Sequence, residues 1–106
     1  MTYAMSIAAL ADPTRRAIVE ILRANPSPVG KLAARLPVSR PAVSQHLKVL
    51  SDAGLVAATK QGPSRIYRLE PEGWKPLRTY LDAMWDDALA AFADAARSAD
   101  KETRHD

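Results

Sequence analysis

The residues from Ser39 to Val56, SRPAVSQHLKVLSDAGLV, constrain this chain more than any other stretch, because they specify one helix with a fixed start, a fixed stop and two differently used faces. Ser39 offers the side-chain oxygen of an N-cap, Pro41 lies in the first turn where its missing N–H costs nothing, and Gly54 stands where a helix closes on a left-handed residue. The sequence predicts a helix from about Arg40 to Ala53. At roughly 100° per residue, Val43, Leu47 and Leu50 share one arc, flanked by Ala53 and His46. Pro41, Ser44, Gln45, Lys48 and Asp52 share the opposite arc. One face packs and the other is presented.

The presented face carries short hydroxyl and amide groups beside a single cation, unlike the Glu/Lys mixture of an ordinary solvated helix. Such groups suit base edges in a major groove, where Gln pairs bidentately with adenine and Lys reaches guanine or phosphate. The same residues also occur on helices that bind nothing, so the surroundings decide.

Proline and capping residues divide the chain ahead of this helix. Tyr3, Ile7 and Leu10 recur at spacings of four and three and mark a short first helix. Asp12 caps a second with Pro13 at its first position, and Ala17, Ile18, Ile21 and Leu22 give it an apolar stripe to about Ala24. Ser27 is expected to cap a third, with Pro28 just inside, Val29, Leu32, Ala33 and Leu36 turned inward and Lys31 and Arg35 outward. Only Pro37 and Val38 separate it from the cap at Ser39, which implies a helix-turn-helix.

After Gly54 the period changes. Leu55 to Thr59 and Arg65 to Leu69 read as two strands, and Lys60-Gln61-Gly62-Pro63-Ser64 reads as their turn. A basic hairpin directly after a polar helix makes a wing, with Lys60, Gln61, Ser64 and Arg65 placed for phosphate or minor groove. A final helix is expected from about Trp74 to Arg97, followed by a frayed tail over 98–106. Leu77, Leu81, Met84, Ala88, Ala91 and Ala95 repeat as a heptad seam, widened by Trp74, Trp85, Leu89 and Phe92. A small core cannot cover that much apolar helix, whereas a second copy can. The expected interface is therefore isologous and twofold, built from Leu77, Leu81, Met84, Trp85, Ala88, Leu89 and Phe92 with Tyr3, Ile7 and Leu10 of the first helix. A ligand pocket near Trp74, Trp85 and Met84 is a second use for the same aromatics; plain interface core is the first.

With 106 residues the chain is expected to form one mainly α domain over 1–97 with a β-hairpin wing. It has no cysteine, which excludes disulfides, thiolate metal sites and cysteine nucleophiles. Residues 1 to 69 hold ten Lys/Arg and three Asp/Glu, for +7, while residues 70 to 106 hold five and nine, for −4. A basic body and an acidic last segment favour a polyanionic partner at one end only. The apolar start lacks the positive charge of a signal peptide, and no stretch approaches the ~18 to 20 apolar residues of a membrane span, so a cytoplasmic protein with no membrane partner is expected. There is no phosphate-binding glycine motif, no G-x-S-x-G elbow and no His pair at helical spacing, so no catalytic residues are assigned.

Three segments give the chain a resemblance to the ArsR-type winged helix-turn-helix repressors: Ala9 to Arg16 (ALADPTRR), Ser39 to Val56, and Gly62 to Leu69 (GPSRIYRL). The likeness spans nearly the whole chain. It implies a homodimer that binds double-stranded DNA at an imperfect palindrome in a promoter, often its own, and usually represses. Half-sites on such an operator lie about one DNA turn apart, ~34 to 36 Å. One departure matters. Many members sense thiophilic metals through cysteines in the segment matching Val29 to Leu36, which here reads VGKLAARL. His46, His105, Asp82, Asp86 and Asp87 make a poor set for a soft metal, so neither metal nor cofactor is expected. The resemblance is to the metal-independent branch with a Trp-containing last helix, whose inducers vary or are unknown.

The residues expected to bind DNA are Ser44 and Gln45 at base edges, Arg40 and Lys48 at base or phosphate, and Lys31, Arg35, Lys60, Gln61, Ser64 and Arg65 along the backbone. His46, at the edge of the buried arc, is read as a packing or phosphate-binding residue. Arg15 and Arg16 are read as equally suited to pairing with the acidic last helix. A winged-helix module that docks proteins is the rival reading, and it lacks any need for cations on the helix and wing.

Overall fold

A computed structural model of the chain describes residues 3–104, with side chains described to residue 100. The order is α1 (Tyr3–Leu10), α2 (Pro13–Ala24), β1 (Ser27–Pro28), α3 (Val29–Ala34), α4 (Arg40–Asp52), β2 (Val56–Gln61), β3 (Ser64–Leu69) and α5 (Pro71–Arg104). It is a mainly helical winged helix-turn-helix with a three-stranded antiparallel sheet, ordered β1-β3-β2. His105 and the end of the expected tail lie outside the described residues.

The capping residues act as the sequence implies. Asp12 Oδ2 accepts from the backbone N–H of Arg15 at 3.0 Å, starting α2, and Ser39 Oγ accepts from Ala42 N–H at 3.3 Å, starting α4. The end of α4 is a Schellman motif: Gly54, at φ 79°, donates to Ser51 O at 2.9 Å, and Leu55 N–H donates to Leu50 O at 3.0 Å. Val43, Leu47 and Leu50 then face the core with Ile18, Leu22, Leu32 and Leu55, all buried. Each such side chain contributes on the order of 1.5 to 3 kcal/mol by leaving water.

Four expectations change. Ser27 does not cap α3: its Oγ donates to Asn25 O at 3.1 Å, and Ser27-Pro28 form a short edge strand against Tyr67 and Ile66. An edge is where proline is tolerated in a sheet, and a two-residue strand carries no periodicity to read. The hairpin turn shrinks to Gly62-Pro63, so Lys60 and Gln61 belong to β2 and Ser64 to β3. Helix α5 begins three residues before Trp74 and runs on past Arg97 to Arg104. In α1 the small residues Ser6 and Ala9 are the buried ones, while Tyr3, Met5 and Ile7 are exposed. That small face lets α1 lie close against α2, α4 and α5.

Candidate nucleic-acid interface

Helix α4 presents Pro41, Ser44, Gln45, Lys48 and Asp52 to solvent along one side. Nothing in the fold covers them. Lys48 Nζ donates to Asp52 Oδ2 at 3.1 Å across one turn, an exposed pair of small energetic weight that a phosphate or a guanine can replace. Arg40, at the first helical position, lays its guanidinium against Gly30 of α3, with Nη1 3.7 Å from where a β-carbon on Gly30 would stand.

The wing places Lys60 directly opposite Arg65, and Gln61 opposite Ser64. Like charges in register repel, at a cost of order 0.2 to 1 kcal/mol, so this pairing is unfavourable unless a polyanion lies across it. At the base of the wing, Arg68 donates to Thr59 Oγ1 and sits 3.8 Å from Glu70, which makes it a sheet-stabilising cation instead of a free one.

Helix and wing meet over a shared cleft of about 300 Å³ lined by Arg40 and Ser44 from α4, Ser64 and Arg65 from the wing, Pro28 and Val29 from the β1–α3 join, and Tyr67. Two guanidinium groups and two serine hydroxyls around one polar cleft form a donor set matched to a phosphodiester. Lys31 and Arg35 are elsewhere. They line a different cavity, with Ile21, Asn25, Pro26 and Ser27, and share no cleft with Arg40 or Arg65. Pro28, Val29 and Tyr67 were not legible as site residues, because only β1 pairing with β3 brings them there.

His46 turns inward from the presented face. Its Nδ1 lies 3.4 Å from Arg15 Nη1 and 3.9 Å from Asp12 Oδ2. The Arg15 N–H bond holds the Asp12 carboxyl below its ordinary value, with His46 and the Arg15 charge acting in the same direction. Arg15 and Arg16 do not reach the acidic last helix. Arg15 Nε donates to Ala9 O at 2.6 Å, and Arg16 Nη1 donates to Leu10 O and Ala11 O, each at 2.9 Å, so both serve the carbonyls at the end of α1. The cap spacing Asp12-x-x-Arg15 was visible in sequence, but the contact across 31 positions to His46 was not.

Beyond the head, α5 stands alone, and the molecule measures 74 × 26 × 21 Å. Leu81, Met84, Trp85, Leu89 and Phe92 are all at least half exposed, up to 74% for Phe92, and Leu81, Met84 and Trp85 line an open apolar groove of about 470 Å³ with Asp82 and Ala88. Leu77 differs: it is 8% exposed and buried in its own chain. Leu10 is half-buried beside the core, and Tyr3 stacks on Tyr80 with ring centres 4.1 Å apart. Trp74 also turns into its own chain, donating from Nε1 to Leu55 O at 3.0 Å, and shares no cavity with Met84 or Trp85. No helix is long and apolar enough to cross a membrane among the described residues, and no three His, Asp or Glu side chains cluster there in the manner of a metal site.

Comparison with known proteins gives a consistent set of relatives. A helix-turn-helix domain model matches residues 10–58. The HTH-type transcriptional regulator Rv2034 of Mycobacterium tuberculosis is 59% identical over 80% of this chain and 79% of its own. The HTH-type transcriptional repressor SmtB of the same organism is 48% identical over 58% of this chain and 45% of its own. Among solved structures, an ArsR-like transcriptional regulator from Rhodococcus sp. RHA1 superposes with a TM-score of 0.70 at 39% identity, covering 89% of this chain and 92% of that one.

Proposed function

The chain belongs to the ArsR family of winged helix-turn-helix transcriptional regulators, which bind DNA and are not an enzyme class; from that premise we propose that it is a homodimeric repressor acting on a palindromic operator. The observation that carries the reading is the shared cleft in which Arg40 and Ser44 of α4 face Ser64 and Arg65 of the wing. A duplex laid there has its backbone held between the two basic elements while Ser44 and Gln45 reach base edges. Lys48, Lys60 and Gln61 extend the same surface, whereas Lys31 and Arg35, in their separate cavity, are left out of it.

The second copy pairs along α5. Leu81, Met84, Trp85, Ala88, Leu89 and Phe92 find no cover among the described residues, and exposed apolar patches of this extent mark contact sites. With Tyr3 and Ile7 added, a twofold arrangement of α1 and α5 buries them and presents two recognition helices to two half-sites. Occupying a promoter in this way blocks transcription, as the name of the SmtB relative supports. A regulator of promoter DNA works in the cytoplasm.

Fluorescence anisotropy against the DNA upstream of its own gene and a scrambled duplex, at several salt concentrations, tests the proposal. Tight binding to the upstream duplex is the expected result. Binding that is equally weak on both duplexes places the operator elsewhere, and no binding at low salt overturns the reading in favour of a protein-docking module.

A further inference from the structure

Asp12, Arg15 and His46 form a cluster outside the DNA-facing surface, at the point where α1, α2 and α4 meet. Building on the dimeric reading above, we propose that Arg15 and His46 form a strut between the dimerisation helices and the recognition helix, and that this strut sets the half-site spacing the protein accepts.

Every link of the path is a contact. The Tyr3 and Tyr80 rings stack at 4.1 Å and 7°, fastening the start of α1 to α5. At the other end of α1, Arg15 Nε donates to Ala9 O at 2.6 Å and Nη2 donates to Ala8 O at 3.4 Å. These carbonyls belong to the last turn of α1, where Ala8 O also accepts Ala11 N–H at 3.2 Å and the helix dipole favours a cation. The third arm of the same guanidinium, Nη1, meets His46 Nδ1 at 3.4 Å. A guanidinium has no acceptor, so Arg15 is the donor of this contact. Asp12 completes the junction, accepting the backbone N–H of Arg15 at 3.0 Å and standing 3.9 Å from the same His46 nitrogen.

The consequence is rotational. His46 follows Gln45 directly and lies two positions from both Ser44 and Lys48, so a turn of α4 that moves His46 carries all three across the groove. The far end of α4 is held by a separate attachment, through Gly54 and Leu55 to Gly73 and Trp74 of α5. With the strut cut, α4 keeps that attachment and its buried Val43, Leu47 and Leu50, but its first turns lose this polar tie to α1, and the presented face gains rotational play. A planar, multiply donating cation is required to hold α1 and α4 at once, which lysine cannot reproduce.

The experiment uses the full chain. A palindromic duplex is selected from random DNA with the wild-type protein, then remade with its half-sites moved by about one and two base pairs, beside a duplex holding one half-site. Wild type is expected to lose at least about tenfold in affinity when spacing changes, because simultaneous engagement depends on geometry. Arg15→Ala and His46→Ala should flatten that profile to within about threefold while leaving the single half-site unchanged. His46→Ala leaves the Arg15 bonds to α1 intact, so it reads the strut even if Arg15→Ala unfolds. Spacing profiles identical to wild type sink the strut alone, and so does a loss on the single half-site, which would make His46 a base reader. A wild type indifferent to spacing removes the twofold reading, and the strut with it.

Discussion

The carbonyl of Gly54 occupies the space where Gly73 would carry a side chain: a β-carbon there would stand 1.5 Å from the Gly54 oxygen and 2.4 Å from its carbonyl carbon. The recognition helix and the long helix therefore touch backbone to backbone at this point. Leu55 O, next in the chain, accepts from both Glu70 N–H at 2.9 Å and Trp74 Nε1 at 3.0 Å, so the contact is clamped on both sides. Gly73→Ala must push α5 off α4. We expect a loss of at least about 2 kcal/mol in urea unfolding, near the upper part of the overpacking range, because the obstructing atoms are backbone. An unchanged midpoint would mean that the two helices are not locked here.

The Lys60 and Arg65 pair sets the stability of the free protein against the proposed contact with DNA. Arg65→Thr removes a like-charge repulsion and supplies a good strand residue, so stability should stay level or rise by about 0.2 to 1 kcal/mol. DNA affinity should fall on every sequence, with the salt slope reduced by about one. Parallel thermal melts and salt-dependent anisotropy decide it; a destabilised variant with full DNA affinity would reverse the assignment.

Gln45 is exposed on α4 and makes no side-chain hydrogen bond among the described residues, so its removal should be felt at the bases. Gln45→Ala is expected to cost about 1 to 3 kcal/mol on the cognate duplex and little on random DNA. Equal losses on both would assign Gln45 to the backbone.

Leu77 and Leu81 lie one turn apart on α5, yet one is 8% and the other 52% exposed. Leu81→Glu with Trp85→Glu should leave a folded monomer, whereas Leu77→Glu should unfold the head by burying a charge. Sedimentation velocity and circular dichroism separate the two. A dimeric double variant would place the interface elsewhere.

Asp12 titrates below the ordinary aspartate value of 3.8, because its charged form accepts the Arg15 N–H and faces His46 and Arg15. A carboxylate with a depressed folded pKa adds stability above its unfolded pKa and loses it as pH falls through the folded value. Asp12→Asn keeps a cap acceptor but no charge. Its melting temperature should lie below wild type at neutral pH, and the gap should close below pH 3.8. A gap that persists in acid would assign the effect to shape and not charge.

Residues that act through local chemistry were legible from the chain alone. Asp12-Pro13 and Ser39 start helices through atoms three residues away, Gly54 closes one by its φ of 79°, and the period of Val43, Leu47 and Leu50 fixes which side of α4 is left to face a partner. The presented face of α4 and the wing follow from these signals, while the family was read from the resemblance of three segments. Long-range placement was not legible in this way. Ser27-Pro28 pair with Tyr67 and Ile66 about forty positions on, Lys31 and Arg35 fall in a separate cavity from Arg40, Leu77 turns into its own head, and Arg15 reaches His46. A cap or a turn is decided by neighbours whose geometry the backbone already fixes, whereas a pairing, a shared cleft or a strut depends on how whole elements pack, and that is settled only when the core closes.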